Sequence, residues 1–135
     1  VQGLTQNVYE KIAPYLCAIP SDKQIINVNT VSVEQPEILY ALFKPKHDIA
    51  LAEFKTLLEN RPASGWENVE NFLNERIFDE VEPTEELKKQ FSVTSEYFQL
   101  NGMTEFEDRM ITVQLLFKMD AKKAKVIRYQ SGGLK

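Results

Sequence analysis

At 135 residues the chain is long enough to bury a core without disulfides or metal, as one domain or two very small ones. Its composition, 43% hydrophobic and 27% charged, disfavours the disordered, fibrous and membrane-embedded classes. A net charge of −4 argues against a nucleic-acid or anionic-membrane surface.

The first helical pattern covers residues 4–16, where Leu4, Val8, Ile12 and Leu16 recur at every fourth position behind Thr5 as a cap. Pro14 should end or kink that helix near Ala13. The chain starts at Val1 inside this pattern, as expected of a piece of a longer protein. Cys17 is the single cysteine, so it is either a buried small hydrophobe or half of a bridge whose partner lies elsewhere. A loop over residues 18–22 then leads into Ile25-Ile26-Asn27-Val28-Asn29-Thr30. Extended, this stretch places Ile26 and Val28 on one side and Asn27 and Asn29 on the other. Its polar side chains are expected to satisfy backbone groups where the loop passes into a helix, which makes it a structural clamp.

Ser32 with Gln35 reads as a capping box and predicts a helix from about Val33 to Phe43, with Pro36 in its first turn. Ile38, Leu39, Leu42 and Phe43 form its buried face. After the break Lys44-Pro45-Lys46-His47, Asp48 is expected to cap a helix to about Asn60, burying Ile49, Leu51, Ala52, Phe54, Leu57 and Leu58. Pro62, Ser64 and Gly65 make a turn, and Trp66 behind it is expected in the core. Asn68 caps a helix from Val69 to about Arg76 that buries Val69, Phe72 and Leu73. An acidic connector, Asp79 to Pro83, precedes one further helical turn at Thr84–Leu87.

After Gln90 the period changes from 3.6 to 2. Phe91 to Phe98, Met110 to Lys118 and Ala124 to Tyr129 are the expected strands of an antiparallel meander. Asn101-Gly102 and Glu107-Asp108 compete for the first turn, and Asp120-Ala121-Lys122-Lys123 makes the second. The fold class is therefore α+β: a helical domain over residues 1–90, antiparallel strands over 91–131 and a frayed tail over 132–135. Three strands with one face to water are marginal alone, so a helix from elsewhere in the parent chain is expected to cover the apolar face.

No set of residues reads as catalytic or cofactor-binding. His47, the sole histidine, stands in a polar turn without a neighbour to orient it. Ser64-Gly65 is a turn and not a nucleophile elbow, and no glycine-rich phosphate loop is present. The acidic groups Asp79, Glu80, Glu82, Glu85, Glu86 and Glu105, Glu107, Asp108 lack EF-hand spacing, and a solvated loop explains them. Lys122, Lys123 and Lys125 suit a charged edge that discourages strand pairing. The alternative to a structural role is a helix-hairpin-helix nucleic-acid module, for which Asn-x-Asn-Thr followed by helix, break and helix is the right order. Its hairpin would be Phe43 to Asp48, which has no glycine and loses an amide at Pro45.

Read together, several stretches resemble the minor pseudopilin K (GspK) family of the type II secretion system. Pro14 to Pro20 resembles the segment before that family's Asn-x-Asn-Thr, and Asn27-Val28-Asn29-Thr30 matches the motif itself. Arg61-Pro62, Gly65-Trp66 and the Val69–Leu73 helix follow in order, and Ser95-Glu96-Tyr97-Phe98 resembles the family's strand near the C-terminus. The resemblance runs over nearly the whole chain and favours the turn at Glu107-Asp108.

By implication the fold is pilin-like, with a sterile-alpha-motif-type helical domain inserted into a body made of a long N-terminal helix packed on an antiparallel sheet. This chain would be the later part of the insertion and the last strands. The implied role is assembly without catalysis, at the tip of the periplasmic pseudopilus with the I and J minor pseudopilins, in support of export of folded proteins across the outer membrane. The implied setting is the periplasm of a Gram-negative bacterium, with an inner-membrane anchor in the part of the parent absent here, and no nucleic-acid partner. Some members of the family bind calcium. No ligand carries over to this sequence, and Asp79, Glu80 and Glu82 are only places to look.

Overall fold

The computed structural model describes residues 3–16, 18–107, 109–120 and 123–134. Helices and an antiparallel three-stranded sheet make the fold α+β. The chain forms two compact units, Val1–Val93 and Thr94–Lys135.

In the first unit α1 spans Gln6–Ile12, and the Thr5 hydroxyl accepts a hydrogen bond from the Val8 amide at 3.3 Å. Pro14 ends the α-helix as expected, and the chain continues as a 3-10 turn over Ala13–Tyr15. β1 is Ile26–Asn27, α2 is Glu37–Phe43, α3 is Leu51–Glu59, α4 is Val69–Leu73 and α5 is Glu85–Lys88. β2, Phe91–Ser92, returns to lie parallel to β1, pairing Ile26 with Phe91 and Asn27 with Ser92.

Two helix starts differ from the sequence reading. Ser32 does not cap a helix at Val33: its hydroxyl accepts from the Glu34 amide at 3.2 Å and closes a turn. A residue before proline is pushed out of the α region, so Gln35 cannot be helical and α2 begins behind Pro36. Nor does Asp48 cap α3. The N-cap is Ala50, whose amide donates to the Glu53 carboxylate at 3.0 Å, while Asp48 pairs with Lys44 at 2.9 Å. That hydrogen bond holds the exposed Asp48 carboxyl below the usual carboxylate range. Leu51 and Ala52, at the start of α3, are consequently exposed.

Asn68 does cap α4, accepting from the Asn71 amide at 2.7 Å. The helix stops at Leu73, short of Arg76, and a 3-10 turn over Arg76–Phe78 follows. Asn68→Ala should lower the stability of this unit by ~1 kcal/mol, a shift of a few degrees in a thermal melt followed by Trp66 fluorescence.

The core of the first unit is aromatic. Phe43 stacks on Phe78 at 4.8 Å between ring centroids and on Phe91 at 5.8 Å. Phe72 meets Trp66, Phe78 and Phe91 edge-on at 5.1, 5.1 and 5.3 Å. Leu39, Phe54, Leu57, Leu58 and Leu73 complete it with Val28, Val31 and Val81. Phe91 thus belongs to the helical unit. The expected strand Phe91–Phe98 is broken: two residues bridge to β1, residues 93–96 bend, and β3 begins at Tyr97. The alternating pattern is real, but Phe91 pairs with β1 and enters the aromatic core instead of joining the three-stranded sheet. The boundary expected at residue 90 accordingly falls after Val93.

In the second unit β3 is Tyr97–Phe106, β4 is Arg109–Asp120 and β5 is Lys123–Leu134, in the order β3-β4-β5. Phe106 pairs with Arg109, so the first turn is at Glu107-Asp108 and not at Asn101-Gly102. Glu107 has the left-handed φ of 46° that a two-residue hairpin loop demands. Asp108 itself, and Ala121 and Lys122 of the second turn, lie outside the described residues. Gly102 sits in mid-strand opposite Val113, and the irregularity of the sheet is elsewhere, between Leu116 and Phe117 where they face β5. The expected tail is strand as far as Leu134, because residues 132–134 pair with 110–112.

Candidate functional site

The Asn27-Val28-Asn29-Thr30 stretch sits at the centre of a hydrogen-bonded clasp. Asn27 Oδ1 accepts from the Asn29 amide at 3.0 Å, and the Thr30 hydroxyl donates to the Asn27 carbonyl at 3.0 Å, which turns the chain tightly. The Asn29 side chain points across the unit. Its Oδ1 accepts from the Trp66 amide at 2.8 Å, and its Nδ2 donates to the Trp66 carbonyl at 3.0 Å and the Val93 carbonyl at 3.2 Å. A carboxamide carries a donor and an acceptor on one plane, as a peptide group does. Asn29 therefore pairs with Trp66 as a neighbouring strand would, and has a second N–H left for Val93.

Two further residues make that geometry possible. Arg61 Nη1 donates to the carbonyls of Val28 at 3.2 Å and Val31 at 2.8 Å, and so holds both sides of the turn. Gly65 has a φ of 75°, and a Cβ there would stand 2.7 Å from Asn29 Cγ, so the carboxamide occupies the space a side chain would need. Trp66 is buried, and its indole N–H donates to Glu75 Oε1 at 2.7 Å. The polar side chains of the motif are thus spent on backbone groups, and the arrangement fastens rather than reacts. The sequence reading placed this role where loop meets helix. The contacts instead reach 37 and 64 residues along the chain.

The second candidate surface is one face of the sheet. Register puts Phe98, Leu100, Ile111, Val113, Leu115, Phe117, Val126 and Tyr129 on the same side. Phe98 and Phe117 stack at 5.6 Å, yet Phe98, Leu100, Val126 and Tyr129 remain 42, 47, 56 and 61% exposed. The opposite side is more mixed: it carries Gln99, Asn101, Thr112, Gln114, Lys118, Arg128 and Gln130, together with Tyr97, the exposed Met103 and the buried Leu116. Asn101 Oδ1 accepts there from Gln99 at 3.1 Å and Gln114 at 3.0 Å. Tyr97 and Glu96 beside Lys118 hold its ammonium above the usual lysine range.

The family model for type II secretion system protein K matches residues 26–94, from the first residue of β1 to just beyond the clasp at Val93. The chain belongs to this family. Type II secretion system protein K of Aeromonas hydrophila is 30% identical over 134 residues, covering 98% of this chain and 40% of its own length. The protein K of Dickeya chrysanthemi is 29% identical over 133 residues, covering 98% of this chain and 36% of its own length. That of Pectobacterium carotovorum subsp. carotovorum is 26% identical over 133 residues, with 98% and 40% covered. The chain therefore spans about two-fifths of the length of these relatives. No solved structure matches it significantly. Membership in the protein K family makes the chain a secretion-system component.

Among the described residues, those singled out for chemistry do not converge. His47 is half-buried with its ring 6.1 Å from that of Phe43. Asp79, Glu80 and Glu82 are exposed, and Glu85 pairs with Lys88 at 2.9 Å. Among the described residues no three His, Cys, Asp or Glu side chains are grouped to hold a metal ion. Cys17 and Asp108 lie outside the described residues. The hairpin that a helix-hairpin-helix module would use also fails on geometry. The amides of Lys46 and His47 both donate to the Phe43 carbonyl, at 3.0 and 2.9 Å, so they do not face outward to a phosphate. Lys123 and Lys125 are exposed on the edge strand β5, as expected of charges that discourage pairing.

Proposed function

We propose that the chain is the later part of a minor pseudopilin, a non-enzymatic component at the tip of the periplasmic pseudopilus. In this reading the first unit is the end of a sterile-alpha-motif-type insertion and the second holds the last strands of a pilin-like body. The protein works by assembling with the I and J minor pseudopilins, and so supports pseudopilus formation and export of folded proteins across the outer membrane. An inner-membrane anchor, in the part of the parent outside this chain, tethers it in the periplasm. No helix among the described residues is long and apolar enough to cross a membrane.

The observation that carries the reading is the one-sided sheet. A three-stranded sheet with aromatic and aliphatic side chains 42–61% exposed on one face is built to be covered. A long amphipathic helix of the parent fits that face, because its apolar stripe would bury the Phe98-Leu100-Phe117-Tyr129 surface.

The test is co-purification of the complete periplasmic part of the parent with the I and J minor pseudopilins. A stable complex is expected. Its absence, with all three proteins folded, refutes the assembly role.

A further inference from the structure

We infer that the β1–β2 bridge and the Asn29 clasp form a mechanical clamp, which keeps the helical unit folded when the chain on its two sides is pulled apart. The inference rests on strand direction and on where the chain enters and leaves, and is independent of the secretion reading.

On the incoming side no described residue between 3 and 25 is buried, and none joins the core cluster. Tension arriving from that side therefore reaches Ile26 before it meets the core. On the outgoing side Val93 is the last residue of the unit, directly behind β2. The Ile26 amide donates to the Gln90 carbonyl and the Val28 amide to the Ser92 carbonyl, both at 2.9 Å. Asn29 Nδ2 adds a third bond at the same end of the pair, to the Val93 carbonyl.

Because β1 and β2 are parallel, the incoming chain pulls on the N-terminal end of one strand and the outgoing chain on the C-terminal end of the other. The strands are then loaded in shear, and the bonds share the force and must fail together. Loaded from the same end, the identical bonds would open one after another. Forced unfolding is governed by the height of the barrier met along the pulling direction, so a clamp of this kind resists force out of proportion to its few bonds. The family match supports the assignment of a unit, since residues 26–94 are bounded by this bridge.

The experiment is single-molecule pulling on the whole chain with Cys17→Ser and handles on introduced cysteines. Lys23→Cys with Glu96→Cys loads the bridge in shear, and Glu34→Cys with Glu96→Cys opens it from one end. All three handle positions are exposed. The first pair is expected to unfold the helical unit at clearly higher force than the second. Ile26→Pro, which removes the N–H donated to Gln90, should lower the force in shear, erase most of that difference and leave the opening geometry unchanged. Equal forces in the two geometries of the otherwise unaltered chain overturn the proposal, and that comparison stands even if Ile26→Pro fails to fold.

Discussion

Asn29→Ala should unfold the helical unit at a melting temperature more than ~10 °C below that of the wild-type chain, given that 1 kcal/mol moves a unit of this size by several degrees. The substitution strips partners from the amide and carbonyl of buried Trp66 and from the carbonyl of Val93. Each buried backbone group left unpaired costs ~1–3 kcal/mol, and solvent reaching the half-buried Asn29 site offsets part of this, for a net loss of ~3 kcal/mol. Asn29→Asp is the sharper variant. It keeps the shape and the acceptor for Trp66, but replaces a donor facing two carbonyls with an acceptor. It should be at least as damaging as alanine. Trp66 is the only tryptophan and sits in the clasp, so its fluorescence during thermal or urea unfolding reads this unit specifically. Wild-type stability in either variant would remove the clasp from the account of this fold.

Gly65→Ala should lose a similar amount, for a reason that can be separated from the first. A left-handed φ costs a non-glycine residue ~1 kcal/mol. The new Cβ would also lie 2.7–2.8 Å from the Cγ, Nδ2 and Oδ1 atoms of Asn29, so the carboxamide must leave its partners. The sum is ~3–4 kcal/mol, of which only the backbone part remains once Asn29 is already alanine. A double-mutant cycle between the two positions should therefore show a coupling of ~2 kcal/mol, measured by urea unfolding of the wild-type, single and double variants. Additive losses would mean that the glycine is needed for its turn alone.

These two positions also show what distinguishes an identifying motif from a reactive one. Asn29, Arg61, Gly65 and Trp66 stand in the sequence as separate marks of a family, in the right order but without a stated connection. In the structure Asn29, Gly65 and Trp66 touch one another, and Arg61 holds the carbonyls of Val28 and Val31 on either side of the Asn29 turn. Each has the residue type its place demands: a carboxamide to pair with a backbone, a guanidinium to span two carbonyls, and a glycine where the carboxamide lies. Periodicity could not reveal this, since the contacts join points some 30 to 64 residues apart. Among the described residues nothing comparable gathers around His47 or the acidic connector.

The sequence by itself determined the α+β class, the order of helices and strands, the caps at Thr5 and Asn68, the helical turn behind Thr84, the apolar faces of α2 and α4, and Phe54, Leu57 and Leu58 of α3. All of these are local: a hydroxyl reaching an amide three residues on, or side chains at a period of 3.6 or 2. The tertiary structure alone decided the fate of Phe91, which carries a strand pattern and lies in the aromatic core. It also decided the partners of Asn29 and the boundary after Val93. In each case two arrangements were locally acceptable. The one adopted buries an aromatic ring or satisfies a backbone group through a residue distant in sequence, and that gain is invisible until the chain has folded.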